Sequence, residues 1–322
     1  MHPLLILMHL SAAVMLLLWA VRMVRTGMER SYGSRLRETL RRSRGGPIGL
    51  AGAGMAMAIL LQSATAVGML AAGFAATGML PPASGLAALL GADLGSALVA
   101  RLLAFDLSDL IPALILTGAV MFLKFESRQL RQHGRIVLGI AFILMSLKMI
   151  GEATEPMRES VVLPGVMAYF ERDPLTACVV TAVLTWAMHS SVAMVLLLAS
   201  LVQASVLSFD AALPMLVGAN IGSGLIAAWL TRSLSPVARR IPVGNLIFRI
   251  GCGLAALAVL VLATLPLDGL AARADFRLVN AHVLFNLCLL VLSLPLVRPM
   301  ERLTALLLPE PVAEEPVLPA DT

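Results

Sequence analysis

The charged residues of this 322-residue chain are segregated, and that leaves several near-uncharged segments long enough to cross a lipid bilayer. A helix needs about 20 apolar residues to span the ~30 Å hydrocarbon layer. Charged residues make up 13% of the chain, against about a quarter in an ordinary soluble domain. Mean hydropathy is +0.91. The expectation is an all-α integral membrane protein. The isoelectric point of about 9.7 points to topology rather than to nucleic acid.

Seven full spans are expected, at roughly 3–22, 84–104, 109–125, 134–151, 210–230, 242–265 and 277–297. The first differs from a signal peptide because its basic residues follow the apolar run, and no small-residue cleavage site stands out. Two further apolar regions, 47–80 and 174–206, split at polar clusters into arms of about 15 residues each. Such an arm reaches about 22 Å, short of the hydrocarbon thickness. These regions read as re-entrant hairpins or broken helices, which must be covered by protein or line a cavity.

Residues 22–46 read as a loop with eight arginines against Glu29 and Glu38. Residues 124–135 carry four basic residues and one acid, and Arg232, Arg239 and Arg240 follow the fifth span. The loops at 152–173 and 268–275 are richer in acid. Seven spans with non-crossing hairpins put every basic loop on one face. The positive-inside bias makes that face cytoplasmic, with the N-terminus outside and the C-terminus inside a bacterial inner membrane. Binding of anionic lipid by the first basic segment is compatible with this.

The polar clusters recur. Pro47, Gln62, Ser63, Gly91, Ala92, Asp93, Gly95 and Ser96 are matched 127 residues later by Pro174, His189, Ser190, Gly218, Ala219, Asn220, Gly222 and Ser223. The first span maps in the same way onto the fourth. A gapless match with polar aligned to polar implies a duplication, with repeat 1 at about 3–125 and repeat 2 at about 130–265. The second unit begins after three spans, so its topology is inverted, as in secondary transporters. The two breaks are then brought together at one site.

Gln62, Ser63 and Thr65 in "LLQSATAVGML" (residues 60–70), with Ser190 and Ser191 in "WAMHSSVAMVL" (186–196), offer amide and hydroxyl groups. Such groups replace the water of an oxyanion or a hard cation without adding charge. Helix N-termini at a break favour an anion, although single Ser and Thr residues also commonly bond neighbouring membrane helices. "GADLGSA" (91–97) and "GANIGSG" (218–224) carry glycines that let backbone approach closely. Asp93 is an intramembrane acid, and hence a functional residue by default unless it pairs internally with Arg101. Its counterpart Asn220 is neutral. His189 either donates to an oxyanion and titrates near neutrality or stands in for the amide of Gln62. His282 and Asn286, four residues apart on one helix face in "NAHVLFNL" (280–287), either line the cavity or bond a neighbouring helix.

A Ser/His hydrolase is disfavoured. His189 and Ser190 are adjacent, no nucleophile-elbow pattern is present and no orienting acid lies near in sequence. The three cysteines show no metal or disulfide spacing, so they read as small hydrophobes. No cofactor and no transition metal are expected, and the chain is expected not to be an enzyme.

These motifs resemble the type II sodium/phosphate cotransporter family, over residues 5–297. That family carries two inverted repeats, each with a Gln-Ser-Ser-Ser signature followed by a Gly-Ala-Asn-Ile-Gly-Thr-Thr-like motif. The resemblance implies sodium-coupled phosphate transport by alternating access. It implies a phosphate site at Gln62, Ser63, Thr65, His189, Ser190 and Ser191. Sodium ligands are implied at Gln62, Ser63, Asp93, Ser96, Ser190, Asn220 and Ser223. Ala64 and Val192 each stand where the family has a serine, His189 where it has glutamine, and Asp93 where it has asparagine. Another oxyanion or small solute, carried with protons through Asp93 or His189, is the alternative within the class. A channel or a membrane scaffold is the alternative outside it. Many bacterial members append a cytoplasmic domain resembling PhoU. Here residues 309–322 are acidic and proline-rich and read as a disordered tail, so regulation of that kind is expected from a separate protein. Oligomeric state stays open, a homodimer included.

Overall fold

A computed structural model describes residues 3–42, 46–105, 107–159, 163–263 and 266–310. The tail expected at 309–322 lies almost wholly outside the described residues. Among these residues the chain is built from α-helices and short 3-10 turns, with no strand. In chain order the helices are α1 (Pro3–Arg42), α2 (Gly46–Leu61), α3 (Ala64–Ala76), α4 (Pro82–Leu103), α5 (Ile111–Lys124), α6 (Arg128–Thr154), α7 (Leu163–Arg172), α8 (Pro174–Met188), α9 (Ser191–Gln203), α10 (Phe209–Leu230), α11 (Pro236–Leu262), α12 (Ala274–Ser293) and α13 (Val297–Leu307). Six helical segments are long and apolar enough to cross a membrane: the N-terminal part of α1, then α4, α6, α10, α11 and the stretch from α12 through α13.

Two expectations are corrected here. The basic segment 22–46 is not a loop, because α1 continues through it to Arg42. Arginine and glutamate are good helix formers, and Arg25 pairs with Glu29 one turn on at 2.9 Å. The extension also packs on α6, where a Cβ added to Gly27 would lie 3.1 Å from the Gln132 carbonyl oxygen. The span expected at 109–125 is instead the 14-residue α5. It is preceded by a 3-10 turn at Ser108–Leu110 and followed by extended backbone at Phe125. At about 1.5 Å per residue it covers about 21 Å, short of a full crossing. The acidic segment 152–173 likewise holds the ten-residue amphipathic α7.

The broken regions fall where expected, at 16 plus 13 residues (α2, α3) and 15 plus 13 residues (α8, α9). Their packing is set by glycine. A Cβ on Gly91 of α4 would overlap the Ala51 carbonyl oxygen of α2, and one on Gly218 of α10 would overlap that of Cys178 in α8. Gly95 meets Met55 and Gly222 meets Ala182 in the same manner. Each member of these pairs is 127 residues from its counterpart. Residues 51–54 face 88–91 and residues 55–58 face 95, so α2 runs parallel to α4. Gly68 faces Leu89 and Gly85 faces Ala71, so α3 runs antiparallel to it. The chain therefore reverses between α2 and α3.

Helices α4 and α10 are buried along most of their length and form the centre, whereas α1, α11 and α12 turn much of their apolar surface outward. One apolar core joins α1, α6, α9, α10 and α12, and a second joins α2, α3 and α4 to Ile241 of α11. Helix α1 lies antiparallel to α6, with Gly27 against residues 132–136 and Gly139 against Ala20 and Val24.

The close glycine approaches give a direct test. Gly91→Val or Gly218→Val forces branched carbons into backbone carbonyls and should cost at least about 1–3 kcal/mol, as core overpacking does. Thermal unfolding of the detergent-purified protein should fall clearly for both. It should not fall for Gly251→Ala, whose added carbon meets nothing within 4 Å.

Candidate functional site

The two breaks share one construction. Helix α2 ends at Leu61, and Gln62 takes a left-handed conformation with φ of 51°. Ser63 is then extended, and its Oγ accepts the Ala66 N–H at 3.1 Å, capping α3. In the second unit His189 takes φ of 53°, and Ser190 is extended. Its Oγ accepts the Ala193 N–H at 3.2 Å, capping α9. A non-glycine residue in the left-handed region costs about 1–3 kcal/mol, and such strain clusters at functional sites. The serine caps use only an acceptor lone pair of each hydroxyl. Each O–H remains able to donate.

Both breaks open on one cavity of about 660 Å³. It is lined by Gln62, Ser63, Thr65 and Ser96 from the first unit and by His189, Ser190 and Ser191 from the second. Ala64 and Val192 lie in the same wall. The N-termini of α3 and α9 thus meet at one space, where their unpaired amides and dipoles favour negative charge. Gln62 Oε1 is buried there with no hydrogen-bond partner among the described residues. Helix α1 closes the remaining side with Arg22, Arg25, Thr26 and Glu29. Sequence reasoning missed these four, because they fall in what reads as a loop.

The other expected residues are placed elsewhere. Asp93, Asn220, His282 and Asn286 do not line the cavity. They belong to a buried polar network among the helices beside it, and Ser223 is buried on α10 outside the cavity wall. Asp93 does not pair with Arg101. It pairs with Arg249 of α11 at 2.5 Å and accepts from Asn245 Nδ2 at 2.7 Å. Arg101 instead donates to Asn280 Oδ1 at 2.6 Å and lies over the rings of Phe105 and Phe276. Arg249 donates further to the Asn245 Oδ1 at 2.9 Å and to the Asn220 carbonyl oxygen at 2.5 Å. Asn286 Nδ2 donates to Asn220 Oδ1 at 3.0 Å, and Asn220 Nδ2 lies 3.1 Å from His282 Nδ1. His282 and Asn286 therefore bond a neighbouring helix rather than facing the cavity.

Arg249 and Asn245 were also missed. The signal was present, since Arg249 is a lone arginine inside the apolar run of α11. The reasoning that singles out an intramembrane Asp93 applies to it equally.

With six candidate crossings among the described residues, all helical, and two matched breaks around one polar cavity, this is a multi-pass membrane protein with an internal site. It belongs to the Na+/Pi-cotransporter family, whose model matches residues 16–152 and 160–298. Among curated relatives it is 37% identical over 297 residues to the Escherichia coli K12 protein named "Putative inorganic phosphate export protein YjbB". That match covers 92% of this chain and 54% of the relative, so the chain spans about half the length of such relatives. The protein of the same name from Salmonella typhimurium is 35% identical, again over 92% of this chain and 54% of the relative. The Bacillus subtilis protein named "Uncharacterized protein YqeW" is 24% identical, over 95% of this chain and 99% of that protein. No solved structure matches the chain.

The construction of the breaks predicts which substitutions disturb the backbone. Ser63→Ala and Ser190→Ala each remove a cap and should cost about 1 kcal/mol in unfolding measurements. Gln62→Gly and His189→Gly relieve left-handed strain while adding unfolded-state freedom, so their stability should stay within about 1 kcal/mol of the parent. Any loss of ligand binding in the glycine variants then belongs to the side chains.

Proposed function

We propose that this chain carries inorganic phosphate across the bacterial inner membrane, coupled to sodium and working by alternating access. The observation that carries this reading is the meeting of two capped helix N-termini at one cavity, each held by the same left-handed-then-extended turn. An oxyanion is matched by amide N–H groups and hydroxyl donors at the start of a helix. On this reading Gln62, Ser63, Thr65, His189, Ser190 and Ser191 hold the anion. The oxygens of Gln62, Ser63, Ser96 and Ser190 are the cation ligands nearest to it. Family membership supports phosphate and sodium as the pair, and the names of the relatives support phosphate.

The two units are inverted repeats in this proposal. Helix α1 and its counterpart α6 run antiparallel, as inversion requires. The broken pairs α2–α3 and α8–α9 are re-entrant, since arms of 13 to 16 residues reach only about 20–24 Å. This topology requires the short α5 and the 3-10 turn before it to carry the chain between faces, with the bilayer thinning to meet them. All three basic segments then share the cytoplasmic face, with the N-terminus outside. Direction of net flux follows from the gradients, because a reversible symporter exports whenever the outward drive on phosphate exceeds the inward drive on sodium.

The test is flux of radiolabelled phosphate in proteoliposomes, measured as uptake and as efflux, with and without a sodium gradient. Sodium-dependent flux is expected in the parent, and loss of it in Ser63→Ala with Ser190→Ala. Ser63→Thr with Ser190→Thr keeps both caps and hydroxyls and should retain it. Absence of flux in either direction under every gradient overturns phosphate as the substrate.

A further inference from the structure

Asp93 is the carboxylate expected to draw a coupling cation into the protein, yet it already has a cation. The Arg249 guanidinium is held by three oxygens of different kinds: Asp93 Oδ1 at 2.5 Å, the Asn220 carbonyl oxygen at 2.5 Å and Asn245 Oδ1 at 2.9 Å. Asn245 Nδ2 ties down the second carboxylate oxygen at 2.7 Å. A carboxylate, a backbone carbonyl and an amide oxygen are the donor set that hard cations take. They come from both matched units, Asp93 on α4 and Asn220 at the equivalent place on α10, with α11 supplying the charge between them. Asp93 and Arg249 are 1% and 3% exposed, so the pair is shielded from solvent, and its opposite charges offset each other.

We propose that Arg249 is a resident counter-cation. It fills an oxygen-lined cation site between the two units, and Asp93 therefore takes no part in binding the mobile coupling cation. A sodium ion entering here would find its oxygen ligands already taken by the guanidinium. The cation that travels with substrate must then use the neutral oxygens at the breaks. This rests on the reading of the protein as a cation-coupled carrier, but its first test does not.

Thermal unfolding, followed by the fluorescence of Trp19, Trp186 and Trp229, is compared in sodium chloride and in choline chloride at equal ionic strength without phosphate. Arg249→Gln leaves an anionic oxygen site and should gain a sodium-specific stabilisation of several degrees beyond the parent's. Asp93→Asn with Arg249→Gln removes both charges and should show the parent's sodium response unchanged. An equal sodium response in Arg249→Gln and parent overturns the proposal, as does loss of the parent's response in the paired variant. If Arg249→Gln fails to fold, the paired variant decides by its steepness of flux on sodium concentration in proteoliposomes. Unchanged steepness supports a resident counter-cation, and a drop of one in the Hill coefficient refutes it. Because the unfolding test contains no phosphate, its outcome is separable from that of the phosphate reading.

Discussion

No backbone amide or carbonyl can be left unsatisfied where lipid excludes water, and this constraint explains most of the architecture. Interrupting a helix at that depth strands up to four N–H groups at the start of the next helix. Ser63 and Ser190 satisfy one each through their hydroxyl oxygens. The rest can be tolerated only if they face a polar cavity, which is where α3 and α9 begin. The broken arms must also be hidden from lipid. Gly91, Gly95, Gly218 and Gly222 let the central helices α4 and α10 press directly on the carbonyls of α2 and α8. Removing a side chain at these four positions is what lets a short, broken helix be covered at all.

The matched units diverge where charge enters. The Asn220 side chain in the second unit is satisfied by Asn286 and by the ring of His282. Asp93 at the equivalent place carries a charge whose burial is costly unless it is paired and hydrogen-bonded. Its pairing with Arg249 and its bond from Asn245 meet both needs. Removing one partner of such a pair is far more damaging than removing both, since a lone buried charge remains. A charge on α4 and its partner on α11 thereby lock the first unit to the second at one depth.

Much of this was readable in the residues themselves. The polar breaks at Gln62–Ser63 and His189–Ser190, the arm lengths and the glycine matches all follow from local pattern and internal spacing. The rest depended on partners that local pattern cannot show. The arginine-rich run after Arg22 has a loop's composition but a helix's propensity, and contact with α6 holds it as a continuation of α1. The 109–125 run is apolar enough to span but contains Asp109 and Pro112 near its start and breaks at Phe125, so only 14 residues become helix. The choice between Arg101 and Arg249 as the partner of Asp93 is a matter of tertiary position. Arg101 lies eight residues along the same helix, about 12 Å of rise away, and the aromatic rings of Phe105 and Phe276 hold it there.

On the proposed reading of the chain as an anion carrier, the electrostatics of the cavity suit an exchange between faces better than a trap. At the breaks the positive potential comes from amide dipoles and hydroxyl donors, each a fraction of a charge. The fixed charges in the lining are on α1, where Arg25 is partly cancelled by Glu29 at 2.9 Å and Arg22 is exposed. Exposed positive charge raises the local concentration of anions and the rate of encounter. It adds little to the depth of the well that a bound anion must leave. A buried arginine beside the breaks would deepen that well until release became slow. Arg249, buried on α11 outside the cavity wall, is paired with Asp93 at 2.5 Å, which offsets its charge.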